Sequence, residues 1–450
     1  MSTNKLGTEK ISKLLWQFSL PATVGMLVNA IYNVVDRLFV GNAKDIGDVG
    51  LAAITVCFPI MMIFHAFSIM MGIGGATRFS INMGRKDQET AERFLGKTFV
   101  LMIVVSLILS ALGYIFMVPI LKLSGASDVI LPYAKEYLEI ILLGNVFQTI
   151  SMGLNNFIRA NGSPKTAMFS MFIGAGFNIV FDAILIQGFN MGLTGAAVAT
   201  IGGQALSAIW CICYFLRNKN VRFRKKHIRF SINSSLIVFS TGTPAFIMNS
   251  IGSVLNIILN QLLFAYGGDN AISAMGIVNS IQTFLIMPII GINQGVQPIV
   301  SYNYGAQRLD RSHKALKLGI FSATVIAVAG WAVTRLFARQ LVMIFTPFSE
   351  IHEIGEKFII NWFGAIFVVG FQIIASNYFQ AIGKPAISTV LTLLRQVLLL
   401  IPLVIILAKV IGLYGIVLSA PIADFVSFLV TLIVLIIYLR KSKTRSFNEI

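Results

Sequence analysis

Charged side chains are scarce in this sequence. They make up only 12% of its 450 residues, whereas hydrophobic residues make up 56%. Ordinary soluble domains carry about 25% charged residues, so this scarcity excludes a typical soluble fold. The charges are also unequal in sign, with 35 Lys and Arg against 18 Asp and Glu. The chain is therefore expected to lie in a lipid bilayer.

Cysteine and the common catalytic motifs are also nearly absent. The three cysteines, Cys57, Cys211 and Cys213, all lie within apolar runs, which excludes a disulfide framework and a four-cysteine metal site. The sequence contains no His-Glu-x-x-His, Gly-x-Ser-x-Gly or Walker pattern, the motifs of metalloproteases, serine hydrolases and ATP-binding loops. We therefore expect no enzyme, no cofactor, no tightly bound metal and no use of ATP.

Long apolar segments are what the sequence does contain. About twenty apolar residues suffice for one membrane-spanning helix, and twelve segments meet that length. The first six are 14–40, 51–80, 94–120, 131–158, 165–188 and 192–216. The second six are 234–266, 271–304, 314–337, 357–382, 386–410 and 412–439. The sequence predicts an all-α integral membrane protein with twelve transmembrane helices.

Basic residues concentrate in alternate short loops between these segments. They include Arg85 and Lys86, the stretch 217–229, Arg308 and the tail from Arg440. Loops rich in Lys and Arg stay in the cytoplasm, so both termini are predicted to be cytoplasmic in a multi-pass protein of the cell membrane. No basic domain remains that would hold a nucleic acid.

The two halves of the chain repeat one pattern. In the first half Asn156, Ala160, Gly162 and Pro164 match Asn377, Ala381, Gly383 and Pro385 in the second at a constant offset. Six helices per half is an even number, so the repeats are parallel, related by an axis along the membrane normal. We predict an N-terminal lobe at 1–216, a basic cytoplasmic linker at 217–233 and a C-terminal lobe at 234–450. The two pseudo-symmetric six-helix bundles would rock about a central cleft.

Two aspartates, Asp36 and Asp182, lie inside apolar segments of the first half, and the second half has no acids at the matching places. A carboxylate in hydrocarbon is costly and marks a candidate functional site. Residues four apart share a helix face, so Asn178 accompanies Asp182 and Tyr32 accompanies Asp36. Thr200 is expected at a similar depth. Pairing of Asp36 with Arg37 is the simpler alternative, but adjacent residues on a helix do not face each other.

Such a cluster suits either of two coupling ions. Two carboxylates in a poorly solvated place repel each other, so at least one is expected to hold a proton near neutral pH. Carboxylate, amide and hydroxyl oxygens are equally the ligands that a hard ion such as Na+ prefers. The residues alone leave proton and sodium open.

These residues resemble one known family. Pro21 with Asp36 downstream, the turn Ala-Asn-Gly-Ser-Pro-Lys at 160–165, Asn178 with Asp182, and Thr200 are similar to the multidrug and toxic compound extrusion (MATE) transporters, in particular their DinF-like and small drug exporter branch. The resemblance covers nearly the whole chain. It implies a cation site of Asp36, Asn178, Asp182 and Thr200, with Tyr32 and Asn155 completing its hydrogen bonds. It also implies a hinge at Pro21, where the sequence alone fits a static bend equally well.

Another branch of that family uses acids in helices seven and ten, and this chain departs from it. Helix seven offers only amides, and helix ten has no charged residue between Phe358 and Gly383. Amides facing lipid would be unsatisfied, and Met surfaces adapt to varied ligands. The predicted substrate-cleft residues are Asn256, Asn260, Gln282, Asn293, Gln297 and Met171.

Three further polar residues lie within predicted spans. Arg395 in helix eleven and Asp424 in helix twelve are expected to form a buried structural pair, because either charge alone would be uncompensated. His65 in helix two is explained more simply by packing than by proton relay.

The resulting interpretation is a secondary active exporter. It would exchange an inward-moving H+ or Na+ for amphipathic, often cationic drugs or toxic organic cations, acting as a monomer in membrane lipid. The alternative is a flippase for a lipid-linked saccharide, which would require a cationic cavity for a pyrophosphate. The first half has almost no such charge apart from Arg37 and Arg78 near its helix ends.

Overall fold

The structure, a computed structural model, describes residues 5–41, 43, 47–218, 220–346 and 348–448. Six helices form its first half. They are α1 (Ile11–Gly41), α2 (Gly47–Gly84), α3 (Gln88–Ile115), α4 (Leu131–Ala160), α5 (Pro164–Asp182, continued by a π-helical segment Ala183–Gly188) and α6 (Gly192–Arg217). A short helix at Met117–Leu123 follows α3, which is why α3 ends before the predicted boundary at residue 120.

Six more helices form the second half. They are α7 (232–267), α8 (269–305), α9 (Leu309–Leu336), α10 (Ser349–Trp362 with Ile366–Ala381), α11 (Pro385–Leu393, a π-helical segment Leu394–Leu400 and Ile401–Ile411) and α12 (Leu413–Asn448). Gly268 separates α7 from α8 with φ of 61° and ψ of −158°, a conformation that glycine adopts readily. The two parts of α10 meet at an angle of 46°. The described residues thus form the twelve predicted spans and no strand.

The first helix divides its contacts between the two halves. Leu6, just before α1, and Ile11, Leu14, Leu15 and Phe18 of α1 belong to a hydrophobic core made otherwise of second-half residues. Pro21 lies inside a continuous helix, and beyond it α1 packs against α5, with Gly25 beside Met171. Packing contacts therefore cross the predicted lobe boundary at residue 216, because the start of α1 lies in the core of the second half.

The ends of α8 and α9 hold the segment that precedes α1. Arg308 Nη1 donates to the carbonyl oxygen of Gly7 at 2.6 Å, and Arg311 Nη2 donates to that of Glu9 at 2.6 Å. Asn303 Nδ2 donates to the carbonyl oxygen of Leu6 at 3.0 Å. These bonds satisfy backbone oxygens of the short helix Lys5–Thr8 and the turn after it.

The halves meet most closely near the basic loops, along a seam formed by α2 with α7 and α8. A Cβ on Gly84 would lie 2.0 Å from the carbonyl oxygen of Tyr302, and one on Gly305 would lie 2.0 Å from that of Ile81. Only glycine permits helix backbones to approach so closely. Ser80 Oγ donates to the carbonyl oxygen of Pro298 across the same seam at 3.2 Å. The side of the molecule bearing the basic loops is therefore closed.

Candidate functional site

The two predicted aspartates converge from α1 and α5. Asp182 is fully buried and Asp36 is 9% exposed, and their carboxyl groups interact directly. Asp182 is the last residue before the π-helical segment of α5. Such segments widen a helix locally and are frequent at functional sites. The structure thus brings together two acids that lie 146 positions apart in the sequence.

The cluster is rich in acceptor oxygens. Asn178 Nδ2 donates to Thr200 Oγ1 at 3.3 Å, which joins α5 to α6. Four buried oxygens accept no hydrogen bond within the described part of the chain. They are Asp36 Oδ1, both carboxylate oxygens of Asp182 and Asn178 Oδ1. Buried acceptors normally have a hydrogen-bond partner. Their arrangement fits a proton or a hard cation, whose ligands are oxygens.

Tyr137 on α4 is a buried residue near this cluster that sequence reasoning missed. Its side chain is 2% exposed and interacts electrostatically with Asp36, Tyr32 and Asp182. Tyr32, partly buried on α1, also lies near the acids. The signal for Tyr137 was its position close to the outer end of the fourth span, at the depth expected of Asp36.

Asn155 does not join the cluster. Its amide nitrogen donates to the carbonyl oxygen of Ala167 at 2.7 Å and to Ser170 Oγ at 2.6 Å, and its side-chain oxygen accepts from Arg159. Asn155 lies 18 residues beyond Tyr137 on α4, which is about 27 Å at 1.5 Å per residue. It joins α4 to α5 near the basic side, far from both aspartates.

The predicted substrate-cleft residues lie in several places. Gln297 Nε2 donates to Thr77 Oγ1 at 3.3 Å across the seam. Met171 packs with its sulfur against α1 at Gly25. Asn260 is exposed and Asn293 is partly buried. The other two, Asn256 and Gln282, line a cavity in the second half.

Arg395 and Asp424 meet in that same cavity. Arg395 Nε donates to Asp424 Oδ1 at 2.7 Å, and the side chains are 21% and 9% exposed. His65, by contrast, is a partly buried residue of α2. The pair is thus a buried ion pair that borders open space.

Comparison with known proteins agrees with this architecture. The MatE family profile matches residues 21–184 and again residues 244–406, once in each half. The chain is 29% identical over 426 residues to the multidrug export protein MepA of Staphylococcus haemolyticus, covering 94% of this chain and 93% of that protein. MepA of Staphylococcus aureus is 28% identical over 440 residues, with 96% and 95% covered.

One solved structure combines similar sequence with the same fold. It is the MATE multidrug transporter DinF-BH in complex with rhodamine 6G, with a TM-score of 0.89, 37% identity and 97% of each chain covered. Two matches to the family profile, together with this similarity over the full length, establish that the chain is a multi-pass membrane protein belonging to the MatE family, the MATE multidrug efflux transporters.

Proposed function

We propose that this protein exports amphipathic cationic drugs in exchange for an inward-moving proton or Na+ that binds at Asp36 and Asp182. The observation that carries the proposal is the set of buried acceptor oxygens without donors among the described residues. Protonation of one carboxyl group, or binding of one cation, removes both the repulsion between the acids and the cost of their unmatched oxygens. The site is therefore more stable loaded than empty.

Transport proceeds by alternating access of the two halves. The start of α1 is fixed in the core of the second half, whereas Asp36, after Pro21, belongs to the ion site with α5. Pro21 cannot donate a backbone hydrogen bond, so it provides a bending point between these two attachments. Loading of Asp36 would thus change the angle between the halves. A ligand shifts such an equilibrium only through unequal affinity for the two states.

The closed side and both termini face the cytoplasm in this proposal, because loops rich in Lys and Arg stay there, and the protein acts as a monomer in the plasma membrane. In this orientation the seam at Gly84 and Gly305 is the cytoplasmic gate. Its closed form corresponds to a state in which the cytoplasm has no access to the cleft. The drug leaves and the ion enters from the outer side.

The test is efflux of rhodamine 6G from proteoliposomes under an imposed pH or Na+ gradient. Asp36→Asn and Asp182→Asn should abolish gradient-driven efflux, because each removes a charge that the ion must neutralise. Tyr137→Phe should weaken it less, since the carboxylates remain. Asp269→Asn, at an exposed residue beside the break between α7 and α8, is the matched control and should transport normally.

The gradient that drives efflux identifies the coupling ion. Normal transport by both Asp36→Asn and Asp182→Asn would refute coupling through this site. If Asp269→Asn also lost transport, the loss of transport in the Asp36 and Asp182 variants would not be specific to the ion site.

A further inference from the structure

A polar cavity of about 170 Å3 lies within the second half, away from the acids of the first. Residues from α7, α8, α10, α11 and α12 line it. Its polar members include Asn256, Gln282, Arg395, Gln396 and Asp424. A concave space with several polar groups converging on it is the usual form of a small-molecule site.

The charged pair in this cavity uses only part of its hydrogen-bonding capacity. Arg395 contacts Asp424 through Nε, and within the described residues its two Nη groups make no further hydrogen bond. These groups form a planar fork suited to a carboxylate. The second carboxylate oxygen of Asp424 is likewise without a donor in the described chain. The cavity thus presents one cationic and one anionic edge with zero net charge.

Two neighbouring amides extend these edges. Trp362 Nε1 donates to Gln282 Oε1 at 2.7 Å, which fixes the amide and leaves its NH2 group as a donor. Gln396 Oε1 is buried without a partner among the residues that the structure describes. A buried acceptor of this kind costs free energy until a donor reaches it. The site therefore offers both donors and acceptors to one ligand.

This cavity is not the repeat of the ion site. The constant offset between the halves aligns Arg395 with Gly174 and Asp424 with Gly203, whereas Asp182 aligns with Leu403. Arg395 and Gln396 lie in the π-helical segment Leu394–Leu400, and such segments are frequent at functional sites. The charges are therefore an addition peculiar to the second half.

The remaining walls are apolar and set the shape of the ligand. They include Leu255, Leu259, Phe363, Ile366 and Val369. A cavity of roughly 150 Å3 holds a benzene ring, so the space accommodates one aryl group with its carboxylate. A single added charge would leave this partly buried site with a net charge, which is costly. A zwitterion keeps the total at zero.

We propose that this cavity binds the carboxylate end of zwitterionic aromatic compounds, with the carboxylate on the Nη groups of Arg395 and the cationic part towards Asp424. The aryl ring lies between the apolar walls. This assignment rests on the proposed drug export and adds to it a subsite for the carboxylate of such drugs. Purely cationic drugs lack the group that the Arg395 fork recognises.

Two dyes that differ only at the carboxyl group test the proposal. Rhodamine 6G is an ethyl ester and a cation, and its free acid is a zwitterion. Fluorescence anisotropy titrations of the purified protein near neutral pH give the ratio of their dissociation constants. The wild type should prefer the acid by about tenfold, the scale of a hydrogen bond to a charged group.

The neutralised pair supplies the decisive variant. Arg395→Gln combined with Asp424→Asn introduces two amides that can hydrogen-bond to each other, so neither charge is left uncompensated. The ratio of the two dissociation constants should then fall to about one. Arg335→Gln is the matched control, since Arg335 lies in the same half on α9 over the Trp331 ring and outside this cavity. It should keep the preference.

A second measurement does not depend on the charged pair. In a variant with Cys213→Ser, a cysteine introduced by Ala420→Cys lies in the cavity wall, and the acid should slow its alkylation more than the ester does. Three results would overturn the carboxylate subsite: equal protection by the two dyes, no preference for the acid in the wild type, or a preference that the neutralised pair retains. If both dyes still bind, drug recognition itself stands. Failure of the wild type to bind either dye would overturn both proposals.

Discussion

The seam between the halves makes the strongest quantitative prediction. Gly84 of α2 faces the carbonyl oxygen of Tyr302 on α8, and a Cβ at residue 84 would lie 2.0 Å from it, whereas ordinary contact begins at 3.4 Å. In Gly84→Ala the two helices must therefore separate by about 1.4 Å or distort. Such overpacking costs about 1–3 kcal/mol. Because the strain exists only while the seam is closed, the substitution should favour the open form by roughly 5- to 150-fold.

Thiol labelling measures this shift. Ser80 lies in the seam with 1% of its surface exposed, so a cysteine introduced by Ser80→Cys, with Cys57, Cys211 and Cys213 replaced, reports on opening. A maleimide added from the side of the basic loops should react faster when Gly84→Ala is also present.

Controls for the labelling come from the same chain. Gly305→Ala should act in the same direction, since a Cβ there would lie 2.0 Å from the carbonyl oxygen of Ile81. Gly276→Ala on α8 meets nothing within 4 Å and should leave the rate unchanged, although it gains the same helix propensity. Equal labelling rates in Gly84→Ala and Gly276→Ala would refute the idea that glycine at the seam controls closure.

Two further predictions concern single side chains. Asp424→Asn should lower the free energy of unfolding in detergent by about 3 kcal/mol. This is the low end for a broken buried pair, because a fifth of the Arg395 side chain is exposed. Adding Arg395→Gln should recover part of the melting temperature, and no recovery would contradict the pairing. Asp87→Ala should cost about 1 kcal/mol, because the Asp87 carboxylate caps α3 by accepting from the Thr90 N–H at 2.9 Å, a bond that lowers the pKa of Asp87 below 3.8. The stability that the cap contributes is complete above the unfolded-state pKa of 3.8 and is lost as pH falls through the lower folded-state pKa. Melting temperatures of wild type and variant should therefore converge in acid. A difference that stays constant with pH would argue against the cap.

The twelve helices were predictable because a bilayer imposes a simple rule. Each span must be apolar over about twenty residues and satisfy its own backbone, so hydropathy alone locates it. Even the break between α7 and α8 fell between two predicted segments, at Gly268. The short helices Met117–Leu123 and Ala338–Phe345 were missed because they are too short to span a membrane.

The candidate ion site was only partly predictable. Spacing along α5 gave Asn178 with Asp182, since a helix fixes which residues share a face. Tyr137 was missed because its depth in the fourth span was its only signal, and a tyrosine in an apolar helix does not otherwise stand out. Asn155 was expected in the site through family resemblance, yet it bonds Ser170 and Arg159 far along α4. Which face of α4 meets α5 is a matter of helix packing and not of local sequence.

The sequence by itself determined the membrane class, the number of helices, the duplication and the two acids most costly to bury, because these follow from composition and periodicity along the chain. Tertiary structure alone decided that Asp36 meets Asp182, that the start of α1 lies in the core of the second half, and that Arg395 and Asp424 border a cavity. These contacts depend on how helices distant in sequence pack against each other, and that packing is set by side-chain shapes summed over whole interfaces.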